Sequence, residues 1–399
     1  MAGPLSGYRV LEATTTVSGP MAAMVLADQG AEVIKIEPPA TGDPGRYLGS
    51  SRGGMAALFA VLNRNKKSLP LDLKDPRELE IFKNLVKTAD VFLENYRPNV
   101  VEKLGIDYSE LRKLNPGLVY ASISGYGQSG PYQNRKVFDP SIQATTGVSH
   151  DQGRERPENI RTIIFDKVTA LTTAQAITAA LLEKAKTGVG QYLPISMLDS
   201  ALQYTWPDLM WSRTLLGDGV DHMGEIGDWF PIFKAKDGYV SIVLVRDDLF
   251  ELVCVWCGND SHTDPRFATF EARRQNGPAL TAALDDMLAN KTTEEICENL
   301  DAFGIPVARV NSFDDIPSDP QVRHQGTLIE TTHPQIGEMR YPRPPMRFDP
   351  ETPFPRSHAP FLGDHTRDIL TEMGVDENEI KRLEARDAEC AEARQKASA

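Results

Sequence analysis

Apolar and polar positions alternate along the first 125 residues with two different periods, which predict strands and helices in turn. Short apolar runs typical of strands are YRVLEA, AEVIKIE, DVFLEN and LVYASISG. The segments between them, MAAMVLAD, PRELEIFKNLVKTA and YSELRKLN, carry apolar residues at helical spacing. Because strands that alternate with helices form mainly parallel sheets with helices on their faces, we predict an α/β fold.

The predicted sheet identifies three loops as candidate ligand-binding segments. Ligands on parallel sheets bind at the carboxyl ends of the strands, so the candidates are loops 13–20, 94–104 and 124–140. In the first loop, Ser18 is predicted to cap the helix that follows. Glu37 ends the second strand, where an acid can bind a ribose hydroxyl. A solvated strand end has the same pattern, and both interpretations stay open.

The second half of the chain has a different texture. The Gly- and Asp-rich segment GDGVDHMGEIGDW, after residue 217, predicts a mobile loop or a domain crossing. The segment PIFKAKDGYVSIVLV predicts a hairpin that turns at Asp237 and Gly238, and IPVARV predicts a further strand. Residues 225–325 are therefore predicted to form a smaller α+β domain. Residues 326–360 are Pro-rich and predicted to be extended, and the charged tail is predicted to be a helix that frays into low complexity.

One acid stands between apolar residues on both sides, in the segment TIIFDKVTALTTAQAITAALLEKAK. The residues before it, Ile163–Phe165, resemble a short strand, and a helix rich in small residues follows. Asp166 at this junction is either an N-cap or a nucleophile. The segment taken alone favours the cap, since Asp accepts hydrogen bonds from the first N–H groups of a helix.

Composition narrows the class of protein. The chain has 399 residues, 41% hydrophobic and 25% charged, which is an ordinary globular composition. Its 43 Lys and Arg against 56 Asp and Glu give a net charge of −13, which disfavours nucleic-acid and membrane partners. This balance still permits one basic pocket for a phosphorylated ligand.

The sequence shows no targeting signal, and we therefore expect a soluble, cytoplasmic protein. MAGPLSGYRVLEA is not a secretory signal, and no apolar run approaches the roughly 20 residues of a membrane span. Four cysteines do not make a disulfide framework. Cys254 and Cys257 form a C-x-x-C in an apolar helix, and we interpret them as small buried hydrophobes, with no metal site predicted.

The glycines Gly125, Gly127 and Gly130 spell G-x-G-x-x-G after a strand, but the context of a dinucleotide site is missing. Pro131 follows at once, and YQNRKVFDPS is not an apolar helix. We therefore predict a loop whose backbone N–H groups face a ligand, rather than a site for NAD or FAD.

Six segments carry a resemblance to a known family: GYRVLEATTTVSGPMAAMVLADQGAEVIKIEPPATGDPGR, NRNKKSLPLDLK, ADVFLENYRP, LGIDYSELRKLNPGLVYASISGYGQSGP, FGIPVARVNSFDDIPSDPQVRHQG and HAPFLGDHTRDIL. They resemble class III CoA-transferases, the formyl-CoA and carnitine CoA-transferase group, which also contains α-methylacyl-CoA racemase. The resemblance implies a large Rossmann-like, CoA-binding domain built from residues 1–200 and 326–399, a linker helix and crossing at 201–224, and a small domain at 225–325. It also implies an interlocked homodimer.

The resemblance further implies a covalent mechanism with Asp166 as the nucleophile. The carboxylate would attack an acyl-CoA to give a mixed anhydride, CoA thiolate would return to give an aspartyl-CoA thioester, and a small carboxylic acid would accept the CoA. Acyl-CoA is then a substrate, with no tightly bound cofactor and no metal. The glycine-rich stretches 124–130 and 224–227 would cover the site and supply N–H donors, although the second, GEIG, has fewer glycines than the lid of the family.

By the same resemblance, a set of residues would bind CoA. Cations for its phosphates are Lys74, Lys103 and Lys136, with Arg97 as an additional contact. Pro38 stands where some relatives carry a basic residue, so that contact is missing or comes from Arg46. The residues that would line the adenine or pantetheine path and form its apolar walls are Asn95, Tyr96, Val17 and Leu71.

Three alternatives to intermolecular transfer stay open. A racemase needs a base where this chain has Phe138, which cannot take a proton, and His150 lies too far along to replace it. Asp139 is a second catalytic acid or, as we favour, a turn residue before Pro140. An intramolecular CoA transferase would use the same nucleophile, and a non-catalytic acyl-CoA-binding protein would use none.

Large aromatics that shape an acyl pocket or belong to the core are Trp206, Trp211, Trp229 and Phe230.

Overall fold

The fold was determined as a computed structural model that describes residues 3–153, 155–221, 223–348 and 354–398. The chain divides into two compact units. The first consists of Met1–Tyr204 and Thr327–Ala399, and the second of Thr205–Gly326.

The N-terminal part of the first unit alternates strands with helices. Its strands are β1 (Arg9–Ala13), β2 (Glu32–Glu37), β3 (Ser51–Arg52), β4 (Met55–Ala56), β5 (Lys66–Pro70), β6 (Val91–Glu94), β7 (Val119–Ser124) and β8 (Tyr192–Ser196). Its helices are α1 (Ser18–Asp28), α2 (Ala57–Leu62), α3 (Pro76–Val86), α4 (Val100–Leu104), α5 (Tyr108–Leu114), α6 (Asp139–Thr145), α7 (Val148–Gln152) and α8 (Ile164–Thr187), and α9 (Met197–Leu209) continues from this unit into the second. The predicted α/β alternation is confirmed.

Six of these strands form one parallel sheet in the order β5-β2-β1-β6-β7-β8. In the register of the sheet, Val10 on β1 lies between Val33 on β2 and Val91 on β6. The order runs outward in both directions from β1, which is the arrangement of a doubly wound Rossmann sheet. The direction of the winding therefore changes between β1 and β6, and this is where such sheets open a crevice for ligands.

Each face of the sheet is covered by helices because the strands are apolar on both sides. On one face, Phe82 of α3 and Tyr120 of β7 both pack edge-on against Phe92 of β6, with ring centroids 5.3 and 5.1 Å apart. On the other face α1 and α8 pack together through small buried residues, among them Ala23 and Ala174. Small side chains let the two helices approach closely, which brings their first turns into contact.

The second unit combines a small sheet with helices. Its elements are α10 (Trp211–Thr214), β9 (Ile232–Lys234), β10 (Tyr239–Ile242), α11 (Asp247–Trp256), α12 (Phe270–Gln275), α13 (Gly277–Leu288), α14 (Thr293–Ala302), β11 (Val307–Arg309) and α15 (Pro320–Gln325). The sheet is antiparallel in the order β11-β10-β9, and the hairpin predicted around Asp237 and Gly238 joins β9 to β10. Cys254 is fully buried and Cys257 packs at the edge of the same apolar core, as the interpretation of both as small hydrophobes requires.

The C-terminal return contains more regular structure than the sequence predicted. Residues Leu328–His333 (β12) and Gly337–Pro342 (β13) form an antiparallel hairpin, so part of the segment predicted to be extended consists of paired strands, and this pairing was not predicted. Residues 349–353 of that segment lie outside the described part of the chain. The helices α16 (Thr366–Glu372) and α17 (Glu377–Ser398) follow, and α17 continues through the segment that was expected to fray. Among the described residues, none of the helices has the length and apolar character that crossing a bilayer requires.

Candidate active site

The loops that follow β1 and β6 are joined at the point where the winding of the sheet changes. The side chain of Asn95, directly after β6, accepts a hydrogen bond from the Thr15 N–H at 2.9 Å and donates one to the Thr15 carbonyl at 3.0 Å. Because the oxygen and the nitrogen of the Asn95 amide both bind Thr15, the two hydrogen bonds fix the two loops against each other. The predicted loops 13–20 and 94–104 therefore meet at the crevice.

Asp166 lies in the first turn of α8, and neither prediction for its surroundings holds. Ile164 and Phe165 are helical, so the strand predicted at Ile163–Phe165 is absent. The residue at the cap position is Ile163, whose side chain makes no capping bond, so Asp166 is not an N-cap. The backbone N–H groups at the start of α8 are instead bound by Asp139. Its Oδ2 accepts from the N–H of Phe165 at 2.5 Å and from the N–H of Asp166 at 3.0 Å.

Asp139 is therefore a structural part of the site, and the favoured interpretation as a turn residue is wrong. It is fully buried as the first residue of α6, and its Oδ1 accepts from Gln143 Nε2 at 2.5 Å. Gln143 in turn accepts from the Ile160 N–H at 2.8 Å and donates to the Thr162 carbonyl at 3.0 Å. These bonds hold both the segment that leads into α8 and the first turn of that helix.

The carboxylate of Asp166 lies at the N-terminus of α1, where the hydroxyl and the backbone N–H of Ser18 both bind it. The structure corrects the prediction for Ser18, since it is the first helical residue and Val17 occupies the cap position. Burial, and secondly the negative charge of Asp139, raise the pKa of Asp166 to about 6, while the two bonds from Ser18 act in the opposite direction. At pH 7 this carboxylate is mostly ionised, partly dehydrated and held between the first turns of two helices.

The apolar residues predicted to contact CoA pack into the core of the first unit. Val17 is 3% exposed and packs with Met24 and Leu62. Leu71 directly follows β5, is 2% exposed and belongs to a second apolar cluster of the core. Tyr96 is half-buried and packs against the cluster of Leu71. All three follow carboxyl ends of strands, at the same edge of the sheet as Asp166.

The predicted cations are exposed at this edge. Lys74 follows β5, Arg97 and Lys103 follow β6, and Lys136 follows β7. Within the described part of the chain, none of the four forms an ion pair. They are free positive charges at one edge of an acidic protein.

Arg46 and Glu37 are not available to a ligand, because they bind each other. The guanidinium of Arg46 makes two bonds to the Glu37 carboxylate, at 2.9 and 2.8 Å, and a third to the Pro360 carbonyl at 3.1 Å. It also stacks on Phe59, 3.8 Å from the ring centroid. Glu37 is 1% exposed, so the solvated strand end is excluded, and its carboxylate also accepts from Ser68.

The loop after β7 is non-helical through its glycines, as predicted. A Cβ on Gly125 would lie 2.1 Å from Val137 Cγ1, so only glycine lets the two ends of this loop pack together. Gln128 donates to the Ser122 hydroxyl at 2.7 Å, which ties the loop to β7. Phe138 is 71% exposed at the end of the loop.

One buried acid at the same edge was not predicted from the sequence. Glu94 ends β6, is 1% exposed and has Ser122 as its partner across the sheet. Burial raises its pKa to about 7, against the opposing effects of hydrogen bonds from Ser122 and the Tyr96 N–H. A strand-end glutamate is usually solvated, and only the three-dimensional position of β6 in the centre of the sheet reveals its burial.

In the second unit, the GEIG stretch is bound by its own neighbours. The Gly224 carbonyl accepts from Trp211 Nε1 at 2.7 Å, and Arg213 pairs with Glu225 at 3.1 Å. Trp211 and Trp229 pack with ring centroids 5.1 Å apart, whereas Trp206 and Phe230 remain about two-fifths exposed, at 40% and 43%. Residue 222, within the loop predicted to be mobile, lies outside the described residues.

Comparisons with known proteins agree with the resemblance. The sequence matches CoA-transferase family III over residues 5–366. It is 35% identical to the succinyl-CoA:glutarate CoA-transferase of Mus musculus, over 95% of this chain and 89% of that protein. It is 33% identical to the acetyl-CoA:oxalate CoA-transferase of Acetobacter aceti, over 94% and 97%. A solved CAIB/BAIF family protein from Brucella suis has a TM-score of 0.82 at 30% identity, and the match covers 94% of this chain and 100% of that one.

The chain therefore belongs to CoA-transferase family III. It is an enzyme that transfers CoA, and the predictions of family and enzyme class are confirmed.

Proposed function

We propose that this enzyme moves CoA from an acyl-CoA thioester to a carboxylic acid, with Asp166 as the covalent nucleophile. The observation that carries the proposal is the position of Asp166: a carboxylate at the carboxyl edge of the sheet, bound by Ser18 and beside the N-terminus of its own helix. The names of the two relatives each pair a CoA thioester with a dicarboxylic acid, which supports this class of substrates.

The chemistry proceeds by exchange of acyl bonds without a net proton change. An Asp166 oxygen attacks the thioester carbon, the C–O bond forms, the C–S bond breaks and CoA leaves as a thiolate. The thiolate attacks the aspartyl carbonyl of the anhydride, which forms aspartyl-CoA and releases the first acid. The acceptor carboxylate attacks this thioester, which breaks the C–S bond, releases the thiolate and forms a second mixed anhydride. The thiolate then attacks the acceptor carbonyl of that anhydride, which forms the new acyl-CoA and releases the Asp166 carboxylate.

Ser18 and the first turn of α1 supply the electrostatic assistance. Their N–H and O–H donors bind the Asp166 carboxylate in the resting enzyme. When Asp166 carries CoA, the same donors would face its acyl oxygen, where negative charge develops in the two tetrahedral intermediates that form at the aspartyl carbon. Preorganised donors of this kind accelerate acyl transfer by about 10²–10³-fold each.

CoA binding is assigned to the residues that share this edge. Free cations suited to its phosphates are Lys74, Arg97, Lys103 and Lys136. Tyr96 and Asn95 lie beside the crevice, whereas Val17 and Leu71 are buried in the core and would support this path without direct contact to CoA. In this arrangement, four exposed cations would be available to the phosphates of CoA in an otherwise acidic protein.

We also propose that the enzyme is an interlocked homodimer. The long helix α8 exposes Leu171 by 51% and Leu182 by 61%, which is unusual for a helix that packs on a sheet. In the second unit, Leu216 and Phe313 are 90% and 92% exposed. A second copy would cover such surfaces, and light scattering at micromolar concentration would then give about twice the 44.1 kDa chain mass. A monomer would contradict this proposal.

The test of the function is CoA exchange between a panel of acyl-CoA donors and acid acceptors. The wild-type enzyme should form new acyl-CoA with at least one acid, and Asp166→Asn should abolish turnover while it retains CoA binding. Glu183→Gln, an exposed acid of the same helix, is the matched control and should behave as the wild type. CoA binding without exchange to any acid would contradict the proposed transfer to a separate acid, and turnover by Asp166→Asn would place the nucleophile elsewhere.

A further inference from the structure

The loop between β1 and α1 is held by side chains from elsewhere in the sheet. The carbonyl of Thr14 accepts from the Lys35 ammonium at 2.9 Å. The N–H of Thr16 donates to Asp43 Oδ1 at 2.8 Å, and Asp43 also accepts from the Gly45 N–H at 2.8 Å. Together with the Asn95 clamp described above, every residue from 14 to 16 has a backbone group bound by a distant side chain.

These bonds impose a conformation that the loop would not adopt alone. Thr16 has a φ of +71°, a left-handed value that is unfavourable for a β-branched residue. Gly19 packs so tightly that a Cβ there would lie 2.3 Å from the Cβ of Thr14. The strained residue is only two positions before Ser18, whose donors bind Asp166. The strain therefore lies where the direction of those donors is set.

The side chains that hold the loop belong to a buried network of charges. The ammonium of Lys35 pairs with Glu12 at 2.8 Å and with Asp43 at 2.9 Å. Lys66 pairs with the other Glu12 oxygen at 2.7 Å and donates to the Pro20 carbonyl, in the first turn of α1, at 2.9 Å. The four charged side chains are at most 1% exposed. Buried ion pairs contribute little net stability compared with apolar packing, so their stability alone does not account for this network.

We infer that Asp43, held by Lys35, is a positioning residue that keeps the strained β1–α1 loop in the shape that directs the Ser18 donors at Asp166. The inference rests on the proposed function. Asp43 touches neither Asp166 nor a reacting atom, and it acts through Thr16. If the loop relaxes, the donors move away from the oxygen on which charge develops, whereas the cations that bind CoA stay in place. The consequence is a loss of kcat with an unchanged KM for acyl-CoA.

The test compares two substitutions of Asp43 with a control at the far end of α1. Asp43→Ala should lower kcat by about ten- to a hundredfold and change the KM for acyl-CoA by less than about twofold. Asp43→Asn retains an acceptor for Thr16 but sets an amide against Lys35, so its kcat should fall several-fold, less than that of the alanine variant. Asp28→Ala removes a buried acid that pairs with Arg64 at 2.6 Å, and it should lower the melting temperature without a change in kcat.

A second readout separates positioning from general stability. The bonds from Ser18 lower the pKa of Asp166, so their loss should move the acid limb of kcat/KM to higher pH in the Asp43 variants and not in Asp28→Ala. If Asp43→Ala does not fold, Asp43→Asn decides: wild-type kcat in the folded asparagine variant overturns the inference. An equal loss of kcat in Asp28→Ala also overturns it. Failure of the proposed function is distinguishable, because it would appear as turnover by Asp166→Asn in the same assay.

Discussion

The substitution Asp139→Asn tests how the site sets the pKa of the nucleophile. Asp139 binds the first N–H groups of α8 and raises the pKa of Asp166 through its charge. Asparagine retains an oxygen for the helix and removes the charge. The pKa of Asp166 is raised from 3.8 to about 6, a difference of about two units or about 3 kcal/mol. Burial is the larger cause and the Asp139 charge the second, so removal of the charge should lower this pKa while leaving it above its ordinary value.

The same substitution should also destabilise the fold. The new amide nitrogen would face Gln143 Nε2, which now donates to Asp139 at 2.5 Å, so two donors would oppose each other. Gln143 cannot simply rotate, because its Oε1 accepts from the Ile160 N–H. A buried polar group left without its partner costs about 1–3 kcal/mol. The variant should therefore unfold at a lower urea concentration.

The assay is the pH dependence of kcat/KM for CoA transfer between pH 4.5 and 8. Asp166 must be ionised to attack, so the wild-type rate should rise with pH and level off above about pH 6. In Asp139→Asn this limb should lie at lower pH than in the wild type, and Glu183→Gln should leave it unchanged. A folded Asp139→Asn enzyme with an unmoved limb, or one shifted to higher pH, would refute the electrostatic argument.

Three further predictions concern other groups at this edge. Ser18→Ala should lower kcat by about 10²-fold. In the wild type the Ser18 hydroxyl lowers the pKa of Asp166, so its removal should move the acid limb of kcat/KM to higher pH. An unchanged pH profile would contradict this role of the hydroxyl. Glu94 has a pKa raised from 4.5 to about 7, so the folded state binds its proton more tightly and stability should fall by about 3 kcal/mol as pH rises through that window. Urea melts of Glu94→Gln at pH 5 and 7.5 should lack that fall, and an equal fall in both proteins would exclude Glu94 as its source. Lys136→Ala should raise the KM for acyl-CoA with little change in kcat. The control is Lys113→Ala, which should have no effect because the Lys113 ammonium pairs with a neighbouring glutamate. If both variants have the same KM, Lys136 does not bind the phosphates.

Local patterns predicted the strands and helices of the first unit well, because their signals are local. Apolar runs gave β1, β2, β6 and β7, and helical spacing gave α1, α3 and α5. The hairpin of β12 and β13 was missed since its sequence alternates polar residues and lies in a Pro-rich segment. The two strands stabilise each other by pairing, which single-segment patterns do not reveal.

The strand pattern predicted which loops lie at the carboxyl edge of the sheet, but the contacts that surround Asp166 were not predictable. The acid that binds the start of α8 is Asp139, 27 residues before Asp166. The bidentate pair of Glu37 with Arg46, and the Asn95 clamp on Thr15, likewise join segments that are distant in sequence. Such bonds depend on which strands become neighbours in the sheet, and the local sequence pattern carries no signal for that.

The most direct measurement is the intact mass of the enzyme after acyl-CoA treatment, with the adduct trapped and mapped to a peptide. The account predicts a CoA thioester on the peptide that contains Asp166, formed at the rate of turnover and absent in Asp166→Asn. A CoA adduct on another residue, or rapid transfer with no adduct at all, would contradict the claim that Asp166 carries CoA during the reaction.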